Sequence, residues 1–88
     1  MQIPISLSIA VGTPPPNHAC LATDAYSRGS TYLTQRNVAD HIDCHLMCIE
    51  EDTCLSFDYK NGACNLKSVE FSPVYGAAGY FSGPKLCP

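Results

Sequence analysis

Apolar and polar side chains alternate at the start of the chain. The apolar positions between residues 2 and 11 are Ile3, Ile5, Leu7, Ile9 and Val11. This period of two predicts a β-strand with one apolar face. Pro4 lacks an amide hydrogen, so the strand should lie at the edge of a sheet or be added to one. It either folds back onto its own sheet or pairs with another molecule by strand addition.

A proline-rich stretch follows the apolar strand. Residues 12–17 read Gly-Thr-Pro-Pro-Pro-Asn, which predicts a stiff, extended spacer of polyproline type. We therefore divide the chain into an apolar arm (residues 1–13), a spacer (residues 14–19) and a cysteine-rich domain (residues 20–88). An arm held away from the domain favours pairing with a partner. Composition also makes Thr13 a candidate for O-glycosylation.

Apolar residues follow a helical period between residues 38 and 50. We expect a helix from Val38 to Glu50, with Asn37 as its N-cap and Asp40 in the capping-box position. Cys44 and Cys48 share one face, which should meet the sheet. An aliphatic stripe points roughly 160° away from them. Its members are Ala39, Ile42, Leu46 and Ile49. The stripe needs cover from a second layer of the domain, a curled sheet or a neighbouring molecule.

Alternation returns after the helix and predicts a β-hairpin. Asn61 and Gly62 both tolerate positive φ and form a strong two-residue turn signal. With these two residues as the turn, Tyr59 faces Cys64. The inner face should carry Leu55, Phe57, Tyr59, Cys64 and Leu66. The outer face, with Asp58, Asn65 and Lys67, should meet water.

Turn residues and β-formers alternate in the rest of the domain. We expect a loop around Arg28 and Gly29, and then a short strand over residues 31–34. Residues 69–79 should form a loop with one short strand, and residues 80–82 a closing strand.

The cysteine count changes the picture of stability and location. A chain of 88 residues buries a small core, and six cysteines are an even number that can supply three disulfides. Disulfides persist outside the reducing cytosol, so we expect a secreted, extracellular protein. Reduced structural thiols are the alternative, although they are seldom this dense. The spacing alone leaves fifteen pairings open.

The charge excludes several classes of partner. The net charge is −3, with only five Lys and Arg residues, which argues against binding of nucleic acid or of an anionic membrane surface. No apolar run is long enough to span a membrane. The apolar start lacks a positive n-region, so we do not interpret it as a signal peptide.

Candidate chemistry is sparse. His41 and His45 have a spacing that suits zinc, but the neighbouring cysteines favour disulfides, so we expect exposed histidines and no metal. The acidic residues lack EF-hand spacing, and no serine stands in a nucleophile motif. We therefore expect neither a cofactor nor an enzyme. Stacking faces for a glycan could come from Tyr26, Tyr32, Tyr75 and Tyr80. The first three are our glycan-stacking candidates, although such aromatic residues are often core or strand residues.

The cysteine layout resembles a known family. The pattern C-x3-C-x5-C-x-x-F-x-Y, the following C-x-L and the late Y-F-S-G are similar to those of PAN/apple domains. The resemblance covers residues 20–87 and implies three disulfides, namely Cys20–Cys87, Cys44–Cys64 and Cys48–Cys54. It also implies an α+β fold, in which a curled antiparallel sheet cradles one α-helix. The N-terminal strand is additional to this fold.

The resemblance implies a function by class. We expect a non-enzymatic extracellular module that binds a protein or a carbohydrate, as PAN/apple domains do. A first alternative is a self-assembling subunit of an oligomer or filament. There the arm would be donated to a neighbour and the aliphatic stripe would add a contact. Both features depart from the family pattern, so the resemblance implies no function for them. A second alternative is a secreted ligand or inhibitor of one protein target.

Overall fold

The structure is a computed structural model that describes residues 16–88. The strand predicted within residues 3–11 lies outside the described residues. The described chain forms β1 (Ala22–Thr23), β2 (Ala25–Ser27), β3 (Thr31–Gln35), α1 (His41–Glu50), β4 (Ser56–Lys60), β5 (Ala63–Lys67), β6 (Pro73–Tyr75) and β7 (Phe81–Pro84).

The strands form two antiparallel sheets, and one helix packs against the larger of them. Five of them make a sheet in the order β1-β7-β4-β5-β3, and β2 pairs with β6 in a separate ribbon. The helix packs on one face of the five-stranded sheet, mainly against β4, β5 and β7. The small disulfide-rich α+β fold is therefore confirmed. The short strands at residues 31–35, 73–75 and 81–84 lie close to where the sequence placed them.

The β4–β5 hairpin has the predicted register. Tyr59 pairs with Cys64 and Phe57 with Leu66 across the two-residue turn. Asn61 and Gly62 adopt φ values of 48° and 83°, in the left-handed region that such a turn requires. Local turn chemistry alone thus sets the register of this hairpin.

The helix begins three residues later than predicted. Asp40 is its N-cap, and its Oδ1 accepts a hydrogen bond of 2.9 Å from the amide of Asp43. Asn37 has a φ of 63° and is not the cap. The amide of Val38 donates to the carbonyl oxygen of Gly62 (3.0 Å), so tertiary contacts hold this segment against the hairpin turn instead.

The core lies between the helix and the inner face of the sheet. Its buried members are Cys44, Cys48, Cys54, Phe57, Tyr59, Cys64 and Leu66. The cysteine face of the helix meets the sheet as expected. Leu55, predicted to be internal, is exposed because it lies one residue before β4, outside the buried cluster.

The outer face of the hairpin is not the water-facing surface that alternation predicted. Asp58 and Lys67 are only 3% and 6% exposed. The Nζ of Lys67 lies 3.4 Å from the Oδ2 of Asp58 and donates to the carbonyl oxygen of Gly29 at 2.8 Å. The amide of Ser27 on β2 also donates to Asp58 (3.1 Å), and Asn65 is half-buried beside it. The β2–β6 ribbon thus covers this face, and Ser27 and the loop that follows it provide hydrogen-bond partners for Asp58 and Lys67.

Three disulfides tie these layers together. Cys20 pairs with Cys87, Cys44 with Cys64 and Cys48 with Cys54, and no cysteine is free. This pairing is the one that the family resemblance implied. It closes the domain on itself, links the helix to the hairpin, and fixes the end of the helix.

Candidate binding surface

Two tyrosines and one lysine form a surface between the sheet and the ribbon. The rings of Tyr26 and Tyr80 lie 5.9 Å apart, centroid to centroid, at an angle of 56°. The Nζ of Lys60 lies 5.0 Å from the centroid of the Tyr80 ring, within range of a cation–π contact. Tyr26 is 38% exposed. We call Tyr26, Tyr80 and Lys60 the tyrosine surface.

Asp24 fixes the backbone that presents the tyrosine surface. It connects β1 to β2 with a φ of 56°, and its amide donates to the carbonyl oxygen of Tyr80 at 2.7 Å. Its own carbonyl oxygen accepts from Ala77 (3.0 Å), and its Oδ1 accepts from the amide of Gly79 (3.2 Å). Three hydrogen bonds therefore hold the loop before β7 against the start of β2, which keeps the two tyrosine rings in contact.

The candidate glycan-stacking residues do not form one site. Tyr26 pairs with Val74, and Tyr75 pairs with Ala25, so alternation places the two tyrosines on opposite faces of the ribbon. Tyr75 is 70% exposed. Tyr32 lies on β3, at the far edge of the five-stranded sheet. Sequence reasoning missed Lys60, because no local signal shows that a side chain beside the hairpin turn reaches the ring of Tyr80.

The histidines of the helix are not the exposed pair that the sequence predicted. His45 is fully buried, and its Nε2 lies 2.8 Å from the carbonyl oxygen of Lys85. Its Nδ1 lies 2.7 Å from the Nδ1 of His18. His41 is half-buried and stacks on Phe81, with ring centroids 4.0 Å apart. Within residues 16–88, no group of three or more potential ligands could hold a metal ion.

The geometry of His45 defines where its proton lies. A carbonyl oxygen can only accept, so the Nε2 of His45 carries a hydrogen, and the Nδ1 of the neutral ring accepts from His18. Burial lowers the pKa of His45 below its ordinary value, and the nearby His18 adds to this effect, while hydrogen bonds to the backbone of Lys85 and Pro84 oppose it. His45 therefore acts as a neutral structural link between the helix, the N-terminal segment and β7.

The aliphatic stripe is neither fully covered nor fully open. Ile42, Leu46 and Ile49 are half-buried, whereas Ala39 is exposed and precedes the helix. The other part of the predicted assembly surface, the apolar arm, lies outside the described residues. Its role in assembly stays a prediction.

Comparison with known protein families identifies the fold. A family model described as the PAN domain matches residues 20–83, well over half of the chain. The chain belongs to the PAN domain family. The match includes Tyr26, Lys60 and Tyr80, whereas Cys87, which closes the PAN domain onto Cys20, lies just beyond it.

Membership in this family sets the class of function. PAN domains are modules that bind proteins or carbohydrates, and they are not enzymes. Their disulfide-rich fold is typical of extracellular proteins. A search of curated proteins finds no match to this chain. Within residues 16–88, no helix has the length and apolar character that crossing a membrane requires.

Proposed function

We propose that this PAN domain is an extracellular, non-enzymatic binding module that recognises a protein or carbohydrate partner through its tyrosine surface. The observation that carries the proposal is the packing of the half-exposed Tyr26 ring against Tyr80, whose own ring lies under Lys60. Such a surface combines apolar ring faces, phenolic hydroxyl groups and a positive charge.

The physical chemistry of tyrosine supports recognition at this surface. A tyrosine side chain supplies a large contact area, and its hydroxyl group forms hydrogen bonds. Tyrosines are enriched at protein interfaces and at the residues that dominate binding energy. Hydrogen bonds from Asp24 hold the backbone around Tyr26 and Tyr80, so little further ordering is needed when a partner binds.

The disulfides support an extracellular location. All six cysteines are paired, and disulfides form and persist in oxidising compartments. A net charge of −3 agrees with a partner that is neither a nucleic acid nor an anionic membrane.

The matched variants Tyr26→Ala and Tyr32→Ala test the surface. The two tyrosines are almost equally exposed, at 38% and 40%, but only Tyr26 belongs to the tyrosine surface. The full chain is screened on a glycan microarray and on a panel of extracellular proteins, and the affinity for each bound partner is then measured for both variants.

We expect Tyr26→Ala to weaken binding about tenfold or more. An aromatic side chain that becomes buried against a partner contributes at least about 1.4 kcal/mol to binding. Tyr32→Ala should leave the affinity within about twofold, as expected for a residue outside the interface. The class of partner that binds distinguishes carbohydrate from protein recognition. An equal loss for both variants, or no binding to either panel at micromolar concentrations, would contradict the proposal.

A further inference from the structure

The outermost strand of the five-stranded sheet has an open edge. β3 pairs with β5 on one side, and in the described part of the chain no strand pairs with its other side. All five of its residues are exposed. The opposite edge of the sheet is β1, which has only two residues. β3 is therefore the longer of the two edges that this sheet offers to a further strand.

Hydrogen-bonded and non-hydrogen-bonded pairs alternate along an antiparallel hairpin, and this alternation shows which backbone groups of β3 face outward. A two-residue turn makes Lys60 and Ala63 a hydrogen-bonded pair, so Cys64 and Leu66 direct their backbone groups away from β4 and toward β3. Their partners on β3 are Gln35 and Leu33. The amide and carbonyl groups of Thr34, which lies between these two residues, consequently point to the open edge.

The side chains of β3 do little to block pairing at this edge. Natural edge strands are commonly protected by lysine, proline or inward-pointing charges, and Thr31–Gln35 contains none of these. An irregularity between Thr31 and Leu33 confines the regular part of the strand to residues 33–35. Leu33 pairs with the core residue Leu66 and so lies on the helix side of the sheet, yet it is 38% exposed. A strand added here gains main-chain hydrogen bonds and an apolar neighbour.

We propose that the β3 edge of one molecule accepts residues 3–11 of a second copy of this chain. The period of two in that segment would place its five apolar side chains on one face, on the same side of the sheet as Leu33. The backbone of the segment would pair with the outward groups of Thr34. This interaction is independent of the tyrosine surface.

The length of the spacer favours a second copy over the same molecule. The described chain starts near β7 and β1, because the side chain of Asn17 donates to the carbonyl oxygen of Pro88 and Cys20 is bonded to Cys87. From there to a strand on the outside of β3 is roughly 19–24 Å in a straight line, counting four to five strand spacings. The five links between residues 11 and 16 span at most roughly 18 Å.

The straight path is also obstructed, because the helix covers one face of the sheet and the β2–β6 ribbon covers the other. A segment that starts on the β1 side of one molecule therefore reaches the β3 edge of a neighbour more readily than its own. Each copy then donates one strand and accepts one strand, so the contact is head-to-tail and the assembly either closes into a ring or grows.

Two pairs of variants of the full chain test this proposal by sedimentation velocity over a concentration series. Thr34→Pro removes the outward amide, while Thr34→Ala keeps it and removes the hydroxyl that donates to Asn65. Leu7→Asp places a charge on the apolar face of the donated segment, while Ser6→Asp adds the same charge to its polar face.

We expect the wild-type chain to associate. Leu7→Asp should weaken association about tenfold or more because it buries a charge in the contact. Thr34→Pro should weaken it about tenfold or more because a main-chain hydrogen bond is lost. Ser6→Asp, Thr34→Ala and Tyr26→Ala should each leave association within about twofold of wild type, as expected for residues outside the contact. A wild-type chain that is monomeric at every concentration would overturn the proposal, and so would equal effects of Leu7→Asp and Ser6→Asp.

Hydrogen exchange gives a readout that needs no change in β3. In the associated wild-type chain the amide of Thr34 should exchange slowly, and Leu7→Asp should accelerate its exchange while Ser6→Asp does not. Pairing between two β3 strands would instead protect the amide of Thr34 equally in Leu7→Asp and Ser6→Asp. That result would rule out the apolar arm as the strand that binds at the β3 edge. This readout decides the question even if Thr34→Pro does not fold.

Discussion

His45 shows what a helical wheel can predict and what it cannot. The wheel predicted that the cysteine face meets the sheet, and Cys44 and Cys48 are fully buried. His45 lies roughly 60° from Cys48 on the same wheel, so its burial follows from that geometry. Its polarity and its spacing from His41 led to the wrong expectation of exposure. The carbonyl oxygen of Lys85 and the ring of His18 make this burial possible, and neither partner is visible from local sequence.

The buried His45 should make stability depend on pH. Its pKa is lowered in the folded state, so the unfolded chain binds the proton more tightly and stability rises with pH. As pH falls through the ordinary value of 6.5 toward the lower folded value, the free energy of unfolding should decrease, at a slope of at most about 1.4 kcal/mol per pH unit. Urea unfolding measures this slope over a pH range from roughly one unit above to roughly one unit below the ordinary histidine value of 6.5.

A matched pair of glutamine variants tests whether His45 is the source of this pH dependence of stability. His45→Gln should flatten the profile over this range, because glutamine has no titrating group, whereas His41→Gln should retain the slope of the wild type. A slope that survives His45→Gln unchanged would show that His45 is not its source.

Among the secondary-structure elements, the register of the hairpin was predicted correctly and the start of the helix was not. The Asn61-Gly62 turn sets its own register, because the required φ values belong to those two residues. The start of the helix depends on distant contacts. The amide of Val38 donates to Gly62, and the hydroxyl of Tyr59 donates to the carbonyl oxygen of Val38 at 2.6 Å. These bonds hold residues 37–39 out of the helix.

The position of the cap can be tested directly. Asp40→Ala should lower the free energy of unfolding by about 1 kcal/mol, because the amide of Asp43 loses its acceptor. Asn37→Gly is the control. Its φ of 63° suits glycine, so this variant should change stability by only a few tenths of a kcal/mol. Thermal unfolding of both variants gives the comparison, and an Asp40→Ala variant as stable as the wild type would contradict Asp40 as the cap.

Contacts between distant segments decide what local pattern could not. Alternation placed Asp58 and Lys67 in water because it describes one sheet at a time, whereas β2 and β6 come together from separate parts of the chain to cover them. The tyrosine surface likewise depends on Asp24 and Gly79, which are 55 residues apart. The disulfide pairing came from family resemblance, since spacing alone left fifteen choices.

The three disulfides should contribute to stability in the order of the loops that they close. The sequence separations are 67, 20 and 6 residues for Cys20–Cys87, Cys44–Cys64 and Cys48–Cys54. Chain entropy then gives about 4, 3 and 2 kcal/mol. Paired Cys→Ala variants, compared by urea unfolding, should show that removing Cys44–Cys64 destabilises the domain more than removing Cys48–Cys54. The reverse order would contradict this entropic account.

The central claim is that three disulfides fix a small PAN scaffold and leave its surface free for recognition. Mass spectrometry of the natively folded, alkylated and unreduced protein tests it most directly, after digestion between the cysteines. The account predicts linked peptides for Cys20–Cys87, Cys44–Cys64 and Cys48–Cys54, with no alkylated cysteine. An alkylated thiol at Cys44 or Cys64, or any exchanged pair, would contradict it.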